Sequence, residues 1–408
     1  MKNITSKLIH GNIDNQKDIY RSLKTPIYET NAYSFDSSEQ ISSAFKGEID
    51  AFAYSRTANP TVFELENRLT LMADAVGTVC VSSGMFAITS TILALCNAGD
   101  HIVASTYLFG HSYALLNNTL RDIGIETTFV NPANEEELTN AIKPNTKIIF
   151  LENIANPQLF VFDIDKIAAI AKKHQIILMI DNTLLTPYLF SCADHGVDVE
   201  ILSTTKSISG GATSFGGAII SYESDKWGAN KKTSEYFKNF GKLALIKKLR
   251  KDSYRNTGGS MSPHNAYLQL LGLETLTLRM DKSCENALAI SRFLETRQEV
   301  KQVNYPALPS SKYFTLLNTH YKGKAGCLVN FELESKEKCF SFMNKLKMIR
   351  RATNFCDNKS LIIHPHSTIY AEYSELEKQN MNISDCMIRF SVGIEDIEDI
   401  KADILQAM

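Results

Sequence analysis

The chain contains no Cys-x-x-Cys pair; its eight cysteines are scattered, which argues against a zinc ribbon and against a disulfide framework. No apolar run is long enough to cross a bilayer, and Met1-Lys2-Asn3-Ile4-Thr5-Ser6-Lys7 lacks the apolar segment of a signal peptide. A reducing cytosol is therefore expected. Neither sign of charge dominates: 43 Lys and Arg stand against 45 Asp and Glu, a net charge of -2 that gives no electrostatic reason to expect nucleic acid or an acidic membrane as partner. No G-x-G-x-x-G follows any early strand-like run, which counts against an NAD-dependent oxidoreductase, the alternative from a different class. Internal repeats and low-complexity tracts are absent as well. The ligand to look for is small.

What is present is an ordinary globular balance, 44% hydrophobic and 22% charged, in a chain of 408 residues. That length exceeds what one core usually organises, so two domains around a large α/β core are expected. Residues 1–60 are polar, broken by Gly11, Pro26 and Gly47, and read as an arm, either loose or packed on another subunit. Residues 61–262 form the expected large domain. Short apolar runs at 76–81, 102–104, 127–130, 147–151, 176–180, 199–202 and 217–220 alternate with amphipathic stretches, the pattern of parallel strands joined by crossover helices. The basic stretch 226–255 reads as a solvated helical face. Residues 263–408 supply a linking helix over 264–296, bent at Gly272, and a smaller α+β domain with strand-like runs at 327–333 and 387–392 and a helix over 336–347.

Two of the apolar runs end in chemically useful residues. One stops at Asp181-Asn182-Thr183, and another is followed by Ser203-Thr204-Thr205-Lys206. In open α/β sheets ligands gather at the carboxyl ends of strands. One lysine and one aspartate placed there are the groups that hold pyridoxal phosphate by its aldehyde and its ring nitrogen. Lys206 would be joined to it as an imine and, once released, act as general base, while Asp181 would keep the pyridine nitrogen protonated. Each residue has an ordinary alternative, a surface lysine and an Asp-Asn turn; their shared placement favours the ligand reading. Gly210 and Gly211, shortly after Lys206, would allow close backbone approach to a bulky ligand. At Ser82-Ser83-Gly84-Met85 a strand turns into a helix whose free N–H groups and positive dipole end suit a phosphate, although serine there also serves as a plain N-cap. The hydroxyls of Ser203 and Thr205 are placed to reach the same phosphate.

Several separated motifs occur in order: Pro26-Ile27-Tyr28, Tyr54-Ser55-Arg56-Thr57-Ala58-Asn59-Pro60-Thr61, Ser82-Ser83-Gly84-Met85, Glu152-Asn153-Ile154-Ala155-Asn156-Pro157, Asp181-Asn182-Thr183, Ser203-Thr204-Thr205-Lys206 and Arg389-Phe390-Ser391-Val392-Gly393. With them, the chain resembles the Cys/Met-metabolism family of pyridoxal-phosphate enzymes over nearly its whole length. The resemblance implies an α/β fold of type I, like aspartate aminotransferase, and a homotetramer built from active dimers. It implies that Tyr54 and Arg56 reach the phosphate of the neighbouring subunit, and that Ser83, Gly84 and Met85 hold the phosphate within the subunit. Phe109 would stack on the pyridine ring. Asn156, Asn354 and Arg389 would bind substrate, Arg389 by clamping its carboxylate. No metal is expected: His364 and His366 read as a turn around Pro365, and His111 as a loop histidine, with a catalytic role as its alternative.

Within the family Phe109 falls where most members have a tyrosine, so stacking is kept and a hydroxyl that assists departure of a thiol is lost. His111 and Thr353 also depart from residues of the γ-lyases, and Ala352-Thr353-Asn354 looks most like the sulfhydrylase branch. The implied function is γ-replacement on O-acetyl-L-homoserine with sulfide or a small thiol, giving homocysteine or methionine and acetate. The alternatives are a methionine or homocysteine γ-lyase and a cystathionine γ-synthase.

Overall fold

Seven short strands, each followed by polar residues, make the large sheet of the computed structural model, which describes residues 3–11 and 20–408. They are β1 (Gly77–Val81), β2 (His101–Ser105), β3 (Glu126–Val130), β4 (Thr146–Glu152), β5 (Ile177–Asp181), β6 (Val199–Leu202) and β7 (Gly217–Ser221), in the order β1-β7-β6-β5-β4-β2-β3. Side chains of successive strand residues point to opposite faces, and both faces are covered. Leu178, Ile180 and Leu202 enter one core with Leu65 and Leu69, whereas Ile177, Met179 and Ile201 enter another with Ile88 and Ile92. Each fully buried side chain of this size contributes roughly 1.5–3 kcal/mol.

The expected parallel pairing holds among β2 to β6, but β7 is antiparallel to both of its neighbours, β6 and the edge strand β1. The connection from β6 to β7 has no crossover helix, only the turn Ser207–Ser209, so the chain reverses at the same end of the sheet. That reversal carries Lys206. A second sheet, ordered β10-β11-β12-β9-β8, is formed by β8 (Gln302–Asn304), β9 (Leu328–Glu332), β10 (Arg350–Arg351), β11 (Leu361–Ile363) and β12 (Met387–Ser391). Helices Lys336–Lys345 and Ile397–Ala407 pack with it, matching the expected smaller α+β unit.

Three expectations need correction. The linking helix is two helices, Pro263–Glu274 and Leu276–Glu295, divided at Thr275. The Arg279 guanidinium bonds the carbonyls of Gly272, at 2.6 Å, and Ser207, at 2.8 Å, and so ties the break to the loop after Lys206. The basic stretch is not simply a solvated face: Trp227, Leu245 and Leu249 are fully buried, and Lys226 pairs with buried Asp198 at 2.7 Å. In the arm, helix Ile4–His10 packs on the chain's own core, with Leu8 buried and its carbonyl accepting from Arg68 Nη1 at 3.0 Å. By contrast, helix Ser38–Lys46 buries no residue. Residues 1–2 and 12–19 of that arm lie outside the described residues.

Candidate active site

The carboxyl ends of β4, β5 and β6 open together onto a cavity of about 680 Å³. Ser83, Gly84, Met85, Phe109, Asn156, Asp181, Ser203, Thr205, Lys206 and Arg389 all line it, although they are scattered over most of the sequence. A second cavity, about 380 Å³, has amide walls, Gln158, Asn304 and Asn330 among them, and no lysine, arginine or histidine.

At one end of the larger cavity, helix Gly84–Leu95 begins. Ser83 caps it by accepting from the Phe86 amide at 3.1 Å, and the Ala87 amide reaches the Ser83 carbonyl. The amides of Gly84 and Met85, at the first two helical positions, have no intrahelical acceptor and carry the positive end of the dipole. Two glycines make the placement sterically allowed. A Cβ on Gly84 would stand 2.7 Å from the Ser203 Cβ, and one on Gly217 would stand 2.2 Å from the Ser83 carbonyl oxygen. The Ser203 amide is held by Thr183 Oγ1 at 2.8 Å, while Thr205 Oγ1 bonds both backbone groups of Gly216 at 3.1 Å. Thr205 therefore must give up a protein partner before it bonds a ligand.

Lys206 Nζ donates to Asn354 Oδ1 at 2.6 Å and stands 4.7 Å from the Phe355 ring centroid. Burial first, and then the charge of Arg389, bring its pKa down to about 8, so far more of the amine is neutral and nucleophilic near neutrality than for an ordinary lysine, although the protonated form still prevails there. Arg389 is itself 1% exposed. Its Nη1 meets Asn156 Oδ1 at 3.2 Å, its Nη2 meets the carbonyls of Thr353 and Asn354, and its buried Nε has no partner among the described residues. Burial lowers its pKa to about 10, which leaves it a cation at neutral pH. A buried guanidinium with a free donor suits a carboxylate.

Asp181 lies beside Glu152, its partner in the β4–β5 register, and no cationic side chain pairs with either among the described residues. Burial raises the pKa of both carboxyls, and their proximity raises Glu152 further. Asp181 accepts from the Thr183 amide at 2.9 Å. Glu152 accepts from the Phe109 amide at 2.6 Å and from the Asn156 amide at 3.0 Å, so one carboxylate positions two walls of the cavity. Glu152 opens the motif over 152–157, but nothing in the sequence pattern assigns it a role. The available signal is positional: an acid ends the 147–151 run just as Asp181 ends the 176–180 run.

Phe109 and His111 share a wall, with ring centroids 5.1 Å apart and edge-to-face. Tyr54 and Arg56 do not line this cavity: Tyr54 is exposed, and Arg56 Nη1 donates to the Arg255 carbonyl at 2.6 Å. Gly210 and Gly211 face protein rather than ligand, since a Cβ on Gly210 would stand 2.9 Å from the Gly272 Cα and one on Gly211 2.5 Å from Asn358 Nδ2. His364 bonds Ser367 and the Asp385 carbonyl around the turn Pro365–Ser367, as expected of a turn. Outside the cavity, Asp165, His195 and His320 form the one group with metal-ligand chemistry among the described residues.

A buried lysine whose amine gives up its proton readily calls for a carbonyl to bind, and a buried carboxylate without a cation calls for a protonated ring nitrogen. Pyridoxal phosphate supplies both, and its phosphate matches the free amides of Gly84 and Met85. Together with the two-sheet architecture, this defines a pyridoxal-phosphate-dependent enzyme of fold type I. The chain belongs to the Cys/Met metabolism PLP-dependent enzyme family, whose profile matches residues 5–408. It is 35% identical to the L-methionine gamma-lyase of Porphyromonas gingivalis over 98% of this chain and 95% of that one. Among solved structures, a Campylobacter jejuni protein assigned as an O-acetylhomoserine (thiol)-lyase, with N'-pyridoxyl-lysine-5'-monophosphate at its position 205, superposes with a TM-score of 0.94 at 35% identity, covering 99% of both chains. The O-acetylhomoserine sulfhydrylase of Wolinella succinogenes superposes with a TM-score of 0.79 at 43% identity, covering 86% of this chain and 98% of that one.

Proposed function

We propose that the enzyme catalyses γ-replacement on O-acetyl-L-homoserine, with sulfide or a small thiol as nucleophile, and forms homocysteine or methionine plus acetate. The observation that carries this reading is Phe109 on the cavity wall, its backbone held by Glu152 and its ring without a hydroxyl. Acetate departs as a stable anion and needs no proton there, whereas a departing thiolate does. The cofactor, when bound, supplies an electron sink for a carbanion of the substrate.

The chain's own residues do the rest in this reading. Arg389 binds the substrate carboxylate, oriented by Asn156 and by the carbonyls of Thr353 and Asn354. Lys206 anchors the cofactor, and its freed amine takes the Cα proton and then helps remove one from Cβ. Asn354 steadies that amine. Asp181 holds a proton at the ring nitrogen. Gly84, Met85, Ser83, Ser203 and Thr205 take the phosphate. Among the described residues lining the cavity, Lys206 and Arg389 are the only lysine and arginine, and neither stands at the Gly84 and Met85 amides that take the phosphate in this reading. Tyr54 and Arg56 from a second subunit fill that need. The arm over residues 1–60, the cofactor domain over 61–262 and the linking and small domain over 263–408 then assemble as a dimer of active dimers.

A second reading is γ-elimination from methionine, favoured by His111, which lines the cavity beside Phe109 and offers a ring N–H to hydrogen-bond a departing thiolate. The two are separated by giving the purified holoenzyme O-acetylhomoserine with sulfide in one assay and methionine alone in another. Homocysteine forming faster than 2-oxobutyrate is the expected result; faster 2-oxobutyrate release from methionine overturns it.

A further inference from the structure

Two cysteines stand directly behind the substrate wall. Cys327 immediately precedes β9, and Cys356 lies in the loop between β10 and β11. Their sulfurs are 3.1 Å apart, the one sulfur–sulfur contact among the described residues. An S–S bond of about 2.05 Å is only about an ångström shorter. The backbone at Cys356 has φ +53°, a left-handed conformation that glycine adopts freely and cysteine rarely does. A side chain held against its preference points to a use for that side chain. Ser391 Oγ anchors the arrangement: it accepts from the Cys356 amide at 3.1 Å and lies 3.7 Å from Cys327 Sγ.

We propose that Cys327 and Cys356 form a site of reversible covalent modification, a dithiol that closes to a disulfide under hydroperoxides and slows turnover by displacing the loop facing Lys206 and Arg389. The hydrogen bond from Cys356, assisted by Ser391 and by the charge of Arg389, favours the Cys327 thiolate, while the same contact disfavours ionisation of Cys356. One nucleophile and one resolving thiol result. Cys327 attacks a hydroperoxide oxygen, takes it as sulfenic acid and releases hydroxide, or alkoxide from an organic peroxide. The Cys356 sulfur then displaces water from the Cys327 sulfur to form the S–S bond. The two thiols lose two electrons, the peroxide gains them, and a small dithiol reductant reverses the change.

The loop that moves carries Thr353 and Phe355 of the cavity wall, the Asn354 oxygen that holds Lys206, and the two carbonyls that hold Arg389. Misplacing such groups by about 1 Å costs on the order of 100-fold in rate, so at least a tenfold loss of kcat/KM is expected on oxidation. The proposal stands on the thiol geometry and holds whichever γ-carbon reaction the site performs.

Holoenzyme is treated with hydrogen peroxide, its remaining thiols are blocked with iodoacetamide, and its unreduced peptides are mapped by mass. Turnover is followed in parallel with the better substrate of the two assays above. The expected result is a Cys327–Cys356 linkage that grows in step with the loss of activity, both reversed by dithiothreitol. Cys356→Gly, which suits the left-handed backbone, and Cys327→Ser should keep basal turnover and lose the peroxide response. Absence of that linkage, a linkage with unchanged kcat/KM, or a Cys356→Gly enzyme as sensitive as the wild type would each overturn the proposal.

Discussion

Lys206 shows how burial sets reactivity. Its pKa of about 8 lies below the ordinary 10.5, so the unfolded chain binds more protons over that interval and the stability of cofactor-free protein rises with pH between those values. The same shift predicts that capture of added pyridoxal phosphate by the cofactor-free protein accelerates with pH to a plateau, with a midpoint near 8. Arg389→Met should move that midpoint upward, because the neighbouring charge helps to neutralise the lysine. Stopped-flow absorbance measures both, and an unchanged midpoint in the variant would contradict the coupling. Glu152 is the residue the sequence shows least plainly. Its value lies in two backbone amides brought together by folding, Phe109 and Asn156, and no spacing reveals such a contact. Glu152→Gln keeps the volume but presents an N–H to one of those amides, and a buried amide left unpaired costs about 1–3 kcal/mol. Turnover should fall by about tenfold or more, a loss of roughly 1.4 kcal/mol in the transition state. Wild-type kcat in this variant would show that the two walls are held by something else.

Among the elements, the strands were legible because each apolar run is short and stops at a polar residue, so Asp181 and Lys206 were placed at strand ends from the sequence alone. The direction of β7 and the break at Thr275 were not. The first follows from a connection after β6 that holds no crossover helix, and the second lies beside a close contact between segments far apart in the chain, where Gly210 meets Gly272. A Cβ on Gly272 would stand 2.3 Å from the Ile208 carbonyl oxygen and 2.6 Å from the Gly210 amide, both backbone atoms that cannot swing aside. Gly272→Ala gains up to about 1 kcal/mol of helix propensity. It then loses about 1–3 kcal/mol to overpacking, which should outweigh the gain. A lower urea midpoint is expected, with a raised KM as helix Pro263–Glu274 pushes the Lys206 loop. A midpoint equal to or above the wild type would mean that the contact relaxes freely.

For the whole molecule, the described residues of one chain leave the phosphate end of the cavity without a cation. A phosphate placed against the Gly84 and Met85 amides meets dipoles and hydroxyls there and, among the described residues, no cation, while Arg56 sits elsewhere, on the Arg255 carbonyl. Apolar side chains of the same arm, Leu23 at 90% exposed and Phe45 at 76%, are left to water, which is costly unless another surface covers them. Both facts fit an arm that completes a neighbour. If it does, Lys206→Ala and Arg56→Ala must complement each other. Each variant alone should be nearly inactive or strongly impaired. In a hybrid dimer, the site built on the Arg56→Ala subunit has its own Lys206 and receives Arg56 from the Lys206→Ala subunit, so it is whole. Its companion site carries both defects. Random mixing makes half the dimers hybrid with one good site in each, restoring about a quarter of the wild-type sites. Coexpression of the two variants with different affinity tags isolates the hybrids and tests this by turnover per site. If Arg56 instead served the cavity of its own chain, every site in the hybrid would carry one defect and activity would stay at the level of the parent variants.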